Sequence, residues 1–325
     1  MRAMLCSRLD GPAALALAEL PAPTPGTGEV TIEVDCAALN FADILMTQGK
    51  YQEKPPLPFV PGLELAGRIR ALGPGVTGFE PGRRVLAIVP HGAFAEVARA
   101  RAGDVVAIPD AMPADLAAGF PIAYGTAHGA LTWRAALQAG ETLLVHGAAG
   151  GVGLTAVEIG RAMGARVIAT ARGADRLALA REHGAAATID TASEDVRARV
   201  LALTEGRGVD VCFDPVGGRL GEESLRCLAW EGRHLVIGFA AGDLPTIQAN
   251  RLLVKNIAAI GFYWGAYRTR APARLKASLE TLLGWYEEGR LHPHVSARFP
   301  LAEARAALAD LEARRSTGKI VLDMR

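Results

Sequence analysis

The segment Leu143-Leu-Val-His-Gly-Ala-Ala-Gly-Gly-Val-Gly153 carries the sharpest chemical signal in the chain, an apolar run ending in Gly147, Gly150, Gly151 and Gly153. Glycines let a backbone approach a pyrophosphate, and a helix that starts there offers unpaired N–H groups and a partial positive charge to hold it. The residues that follow predict such a helix, because Val152, Ala156, Ile159 and Met163 share one face at i, i+4, i+7 and i+11. The alternative is a tight turn with close helix packing and no ligand. A strand before it, a helix after it and five further strands favour a dinucleotide.

The choice of dinucleotide is read at the end of the second strand, where a carboxylate would accept from the ribose 2′-hydroxyl of NAD. Here the strand ends Ala169-Thr-Ala-Arg172, with Arg176 one helical turn later. Two guanidinium groups suit a 2′-phosphate, which predicts NADPH over NADH. In the competing arrangement Arg172 and Arg176 are solvated surface charges and Asp175 turns in to take the ribose.

The elements that must position these groups follow from periodicity. From about residue 140, short apolar runs alternate with amphipathic segments, the pattern of βαβ units on a parallel sheet. Strands are predicted at 142–146, 166–171, 187–190, 209–214, 234–238 and 256–262, and helices at 174–183, 195–204 and 220–230. Six strands in this order fit a doubly wound dinucleotide-binding sheet.

The chain to about residue 119 reads as an all-β unit of short strands divided by Gly and Pro, including Val30–Val34 and Arg84–Val89, with a first hairpin over residues 1–20. After residue 262 come a helix at 272–288, a strand near 295–299, a helix at 302–313 and a strand at 319–322. The βαβ block is therefore expected to sit inside another domain. The predicted division is residues 1–119 with 263–325 for one domain and 120–262 for the other.

Composition narrows the function classes. The 325 residues suit roughly two domains at about 150 residues each, and 50% apolar with 21% charged residues excludes intrinsic disorder. Positive and negative residues number 35 and 34, so no basic excess points to nucleic acid. No run is long enough to span a membrane, and Met1–Leu20 is too short in apolar residues for a signal-peptide core. Cys6, Cys36, Cys212 and Cys227 form no CxxC or close pair, which suggests a reducing, cytoplasmic setting with neither zinc knuckle nor disulfide framework. His292 and His294 have no carboxylate or thiolate at ligand spacing and read as a surface loop.

Several segments together carry a resemblance to a known family: Leu39-Asn-Phe-Ala-Asp43, Gly49–Glu64, Tyr124-Gly-Thr-Ala127, His146–Gly153, Asp214-Pro-Val-Gly-Gly218, Leu228–Arg233, Gly261–Gly265 and Arg315–Lys319. Over essentially its whole length the chain resembles the medium-chain dehydrogenase/reductases, within them the zinc-independent quinone oxidoreductase branch. The resemblance implies an α/β protein with a GroES-like β domain, a Rossmann domain and an active site in the cleft between them. It also implies a homodimer built on the last Rossmann strand.

Alcohol dehydrogenases of this superfamily hold a catalytic zinc. The matching positions here read Asn40, Leu63 before Glu64, and Phe120-Pro-Ile122, which is no zinc-binding set. Hydride transfer from NADPH to a quinone or related α,β-unsaturated carbonyl is what remains. Asn40 is the first candidate to donate to the acceptor oxygen, or else an Asn that caps a turn. Tyr51 resembles the proton-donating Tyr of enoyl-thioester reductases, which makes that activity an alternative; otherwise its ring packs under the 55–61 turn. A third alternative is a non-catalytic NADPH-binding protein.

For the cofactor, the resemblance implies Thr126 near the nicotinamide, Gly150, Gly151, Val152 and Gly153 at the pyrophosphate, and Arg172 and Arg176 at the 2′-phosphate. Val216, Gly217, Phe239, Ala240, Phe262, Tyr263 and Trp264 are implied along the ribose and nicotinamide, with Lys319 reaching the cofactor. Two positions depart from the family pattern: Leu45 and Thr191 stand where relatives often carry Tyr.

Overall fold

The structure is a computed structural model and describes residues 1–324. The chain divides into two compact units, the first made of residues 1–122, 272–283 and 293–325 and the second of 123–271 and 284–292.

The first unit opens with β1 (Arg2–Leu5) paired antiparallel to β2 (Ala16–Glu19). Its main sheet is seven-stranded and begins with β3 (Glu29–Ala38), β4 (Glu64–Leu72), β5 (Arg84–Ile88), β6 (Val97–Arg101) and β7 (Val105–Ala107). Val30, Ile32 and Val34 of β3 are buried in one apolar core with Leu65, Ile69, Val85 and Phe94. The unit is not purely β. A helix, Phe41–Thr47, follows β3, with Asp43, Ile44, Met46 and Thr47 buried. Its start is fixed by Asn40, whose backbone N–H donates to Asp43 Oδ2 at 2.7 Å. An Asn with an acid three residues on is a start signal, but seven residues are too few for a periodic pattern.

The second unit holds a six-stranded parallel sheet of β8 (Thr142–Val145), β9 (Arg166–Ala171), β10 (Ala187–Asp190), β11 (Val209–Asp214), β12 (Leu228–Val236) and β13 (Ala258–Gly261), in the order β10-β9-β8-β11-β12-β13. β8 is buried at every position, as a strand covered on both faces must be. The order reverses between β8 and β11, and in doubly wound sheets that switch point is where ligands bind.

Between β11 and β12 the structure departs from expectation. The helix predicted to reach Trp230 stops at Ser224, and β12 begins at Leu228. Buried Leu228 pairs with Val209, then the register shifts before Arg233 pairs with Val211. Glu231, at φ 59°, makes the bend. An apolar run broken by Glu-Gly imitated a helix where the chain forms a bent strand.

The chain then returns to the first unit as β14 (Val295–Pro300) and β15 (Lys319–Asp323), which run parallel to each other, while β15 is antiparallel to β3. β3 thus lies between β15 and β4. Among the described residues no helix is long and apolar enough to cross a membrane.

Candidate active site

The carboxyl end of β3 is where the first unit gathers its buried charge. The β3–β4 register sets Glu64 opposite Ala38, and Leu39 N–H donates to Ile320 O of β15 at 3.0 Å. The first residues of β4 and β15, Glu64 and Lys319, therefore flank Asn40. Asn40 Nδ2 donates to Glu64 Oε1 at 2.9 Å, and Lys319 Nζ donates to Asn40 Oδ1 at 2.8 Å and to Leu39 O at 2.7 Å. Lys319 Nζ also lies 2.8 Å from Glu64 Oε1, and Ile122 N–H donates to Glu64 Oε2 at 2.9 Å. Glu64 is fully buried, whereas Asn40 keeps 9% of its surface exposed.

Asp43 completes the group. Burial pushes its carboxyl up to about 7, against the pull of the Asn40 N–H and of Lys319. Neither Glu64 nor Asp43 was given a role from sequence, though Glu64 was named beside Leu63 at a matched metal position; the Asn40–Asp43 cap spacing could have found Asp43, and strand pairing shows Glu64 to be the partner of Asn40. Tyr51 is half-buried with its ring against the apolar core of this unit.

In the second unit the glycine loop leaves β8 at the switch point. Gly147 has φ 57°, and Gly150 precedes the helix Gly151–Ala162. A Cβ on Gly153 would lie 2.2 Å from Gly147 O, so only glycine lets the helix start this close to the strand end. The N–H groups of the first helical turn have no intrahelical acceptor. A Cβ on Gly147 would lie 3.2 Å from Val216 Cγ2, which places the loop after β11 beside the glycine loop. Asp214 Oδ1 shapes that second loop by accepting Val216 N–H at 2.8 Å and Gly217 N–H at 2.9 Å. The loop after β12 is tied to it, with Ala240 N–H donating to Pro215 O at 3.1 Å. Phe239, in the loop after β12, is exposed.

At the carboxyl end of β9, Arg172 is exposed and has no partner among the described residues, and Arg176 stands half-buried in the first turn of the helix Ala174–Glu182. Asp175 is also exposed. Of the other residues assigned to the cofactor, Thr126 is buried in the helix Pro121–Gly129. Phe262 is buried in an aromatic cluster, its ring centroid 6.2 Å from that of Trp133 and 5.5 Å from that of Tyr267. Tyr263 is exposed, and Trp264 is buried with its indole Nε1 unpartnered.

Comparison with known proteins places this geometry. Residues 26–110 match the alcohol dehydrogenase GroES-like domain and residues 151–282 the zinc-binding dehydrogenase family. A quinone oxidoreductase-like protein 2 homolog of Nematostella vectensis is 39% identical over 99% of this chain and 88% of its own length. The chain belongs to the medium-chain dehydrogenase/reductase superfamily, in its quinone oxidoreductase-like branch. Two solved members of this superfamily are similar throughout. The quinone oxidoreductase of Thermus thermophilus, solved also as its complex with NADPH, is 38% identical over 100% of both chains with a TM-score of 0.86. The Escherichia coli quinone oxidoreductase complexed with NADPH is 27% identical over 99% of this chain and 100% of its own, with a TM-score of 0.91.

The zinc that gives one matched family its description does not fit the residues present. The superfamily's ligand positions correspond here to Asn40, Leu63 beside Glu64, and the 120–122 stretch; Asn40 Nδ2 and Ile122 N–H both donate to the Glu64 carboxylate, and the Lys319 ammonium lies against it. A fixed cation amid N–H groups repels a metal ion and offers it no thiolate or imidazole. Cys6, Cys36, Cys212 and Cys227 are all buried free thiols, and among the described residues no three His, Cys, Asp or Glu could share a metal.

Proposed function

We propose that this chain reduces quinones or related α,β-unsaturated carbonyls with NADPH and without a metal. The observation that carries most weight is the Asn40 carboxamide, held in place by Glu64 and Lys319 where zinc enzymes of the superfamily bind their metal. A metal would polarise the acceptor oxygen; here an Nδ2–H does so. A quinone or enone suits that weaker electrophile, because the negative charge formed on reduction is delocalised onto oxygen and one fixed donor stabilises it.

The second unit fits NADPH. Its glycine loop lets a helix start close against the end of β8 with unpaired N–H groups for a pyrophosphate, and Arg172, exposed and without a partner among the described residues, stands at the strand end for a 2′-phosphate. Gly150, Gly151, Val152 and Gly153 would hold the pyrophosphate through backbone N–H groups, and Arg172 with Arg176 the 2′-phosphate. When bound, the cofactor supplies a hydride from its nicotinamide. Asn40 then donates to the oxygen on which charge develops, and Glu64 and Lys319 keep its carboxamide from turning.

The test is NADPH oxidation, with an NADH control, against 1,4-benzoquinone, 9,10-phenanthrenequinone, an alkyl enone and crotonyl-CoA. Turnover of quinone or enone with NADPH is expected. Turnover of the thioester alone, abolished in Tyr51→Phe, would replace this reading with an enoyl-thioester reductase, and tight NADPH binding without turnover would leave a binding protein.

A further inference from the structure

We propose that Lys319 is a positioning residue that acts through Asn40: together with Glu64 it locks the Asn40 carboxamide with Oδ1 inward, so that an Nδ2–H is always the atom presented to the acceptor. This deepens the reductase reading above and rests on it.

A carboxamide has nearly the same shape when flipped by 180°, so only its partners decide which end is oxygen. At Asn40 both partners are unambiguous. Lys319 is donor only and lies 2.8 Å from Oδ1; the Glu64 carboxylate is acceptor only and lies 2.9 Å from Nδ2. Flipping the amide would set N–H against an ammonium and oxygen against a carboxylate. Glu64 is fully buried and Lys319 8% exposed, so neither repulsion is relieved by water. One Nδ2–H is thereby used on Glu64, and the second has no partner among the described residues.

The same geometry explains why Lys319 acts at one remove. An ammonium has three N–H donors. Leu39 O and Asn40 Oδ1 accept from Nζ at 2.7 and 2.8 Å, and Glu64 Oε1 lies 2.8 Å from it as its counter-ion. With its charge paired to buried Glu64 and its protons spent on this cluster, Lys319 acts on the acceptor through Asn40. Lys319 is held there by its backbone as well: Gly318 before it has φ 52°, and Lys319 N–H donates to His294 O at 3.0 Å.

The experiment combines kinetics with one spectroscopic readout. Asn40→Ala and Lys319→Met are made singly and together, and kcat with 1,4-benzoquinone is measured beside NADPH affinity by fluorescence. Lys319→Met is expected to lower kcat about 10- to 100-fold with NADPH affinity within about twofold of wild type. In the Asn40→Ala background the same change should cost nothing further, because Lys319 would have no amide left to orient. Multiplicative losses in the double variant, or NADPH affinity weakened about tenfold in Lys319→Met, would overturn the proposal. The spectroscopic arm needs no turnover. The chain contains three asparagines, Asn40, Asn250 and Asn256, so selective 15N-asparagine labelling gives three side-chain amide pairs, with Asn40 assigned by its loss in Asn40→Ala. The Glu64-bound proton of the Asn40 pair should be protected from solvent exchange in wild type and lose protection in Lys319→Met; unchanged protection contradicts the lock. Should Lys319→Met fail to fold with Glu64 unpaired, Lys319→Met with Glu64→Gln removes both charges and is expected to lose the same protection. A wild-type enzyme that shows the protected amide but reduces no acceptor would refute the reductase reading and leave the lock standing.

Discussion

His146 Nε2 lies 2.6 Å from Ser224 Oγ, and because that hydroxyl donates its own proton to Leu220 O, His146 must be the donor. Its Nδ1 then accepts from Thr170 Oγ1 at 2.9 Å. The residue that opens the glycine loop is thus a neutral imidazole in a fixed tautomer, tying the end of β8 to β9 and to the helix after β11. Burial drives its pKa down to about 4, with Asp214 pulling the other way.

The direction of that shift sets a pH dependence. An unfolded His titrates near 6.5, so between about 6.5 and 4 the unfolded chain binds a proton that folded His146 refuses. Its contribution to stability is full above that window and is lost as pH falls through it, about 3 kcal/mol in all. His146→Gln keeps a donor for Ser224 and cannot titrate. Its melting temperature should fall less steeply than that of wild type between pH 6.5 and 4, and parallel profiles would contradict the assignment.

Cofactor preference depends on the basic end of β9. Arg172→Ala with Arg176→Ala should weaken NADPH much more than NADH. A charge-assisted bidentate contact contributes on the order of 1.5 to 3 kcal/mol, so the NADPH-to-NADH preference should drop at least about tenfold. Equal losses for both cofactors would mean that the 2′-phosphate lies elsewhere.

Gly153 tests the pyrophosphate cradle. In Gly153→Ala the new Cβ would meet Gly147 O at 2.2 Å, forcing loop and helix apart. We expect a loss of about 1 to 3 kcal/mol in stability by urea unfolding, with weakened NADPH binding. Gly103→Ala, where nothing lies within 4 Å, is the control and should do neither.

The free edge of the parallel sheet bears on assembly. β13 is the terminal strand, and the helix Ala249–Lys255 before it buries no residue and exposes Leu253 and Val254. Exposed apolar surface beside an unpaired edge suits a second copy of the chain. Gel filtration should give twice the 34.0 kDa chain mass, and Ile260→Asp should shift it to the monomer. A wild-type monomer would overturn this expectation.

What sequence reveals here follows the range of the interactions. The parallel sheet was legible because each of its strands is a short apolar run, and the glycine loop because strand, glycines and helix adjoin one another. Lys319 was not legible as a partner of Asn40: 279 residues separate them, and only the pairing of β15 with β3 brings them together. The contact of Glu64 with Asn40 was hidden for the same reason, since the partner of Glu64, Ala38, is set by a register with two shifts. Leu228–Val236 was misread at its start because the Glu231–Gly232 bend breaks the alternation by which strands are recognised. The His146–Ser224 bond joins residues that local periodicity cannot relate.

The most direct test of the account is one single-turnover experiment. Protein loaded with NADPH, either ordinary or deuterated at both nicotinamide C4 positions, is mixed with 1,4-benzoquinone and the loss of cofactor absorbance is followed. Bound NADPH should be oxidised rapidly, more slowly when deuterated, and about 100-fold or more slowly in Asn40→Ala. Oxidation no faster than that of free NADPH in buffer, or a rate indifferent to Asn40, would contradict it.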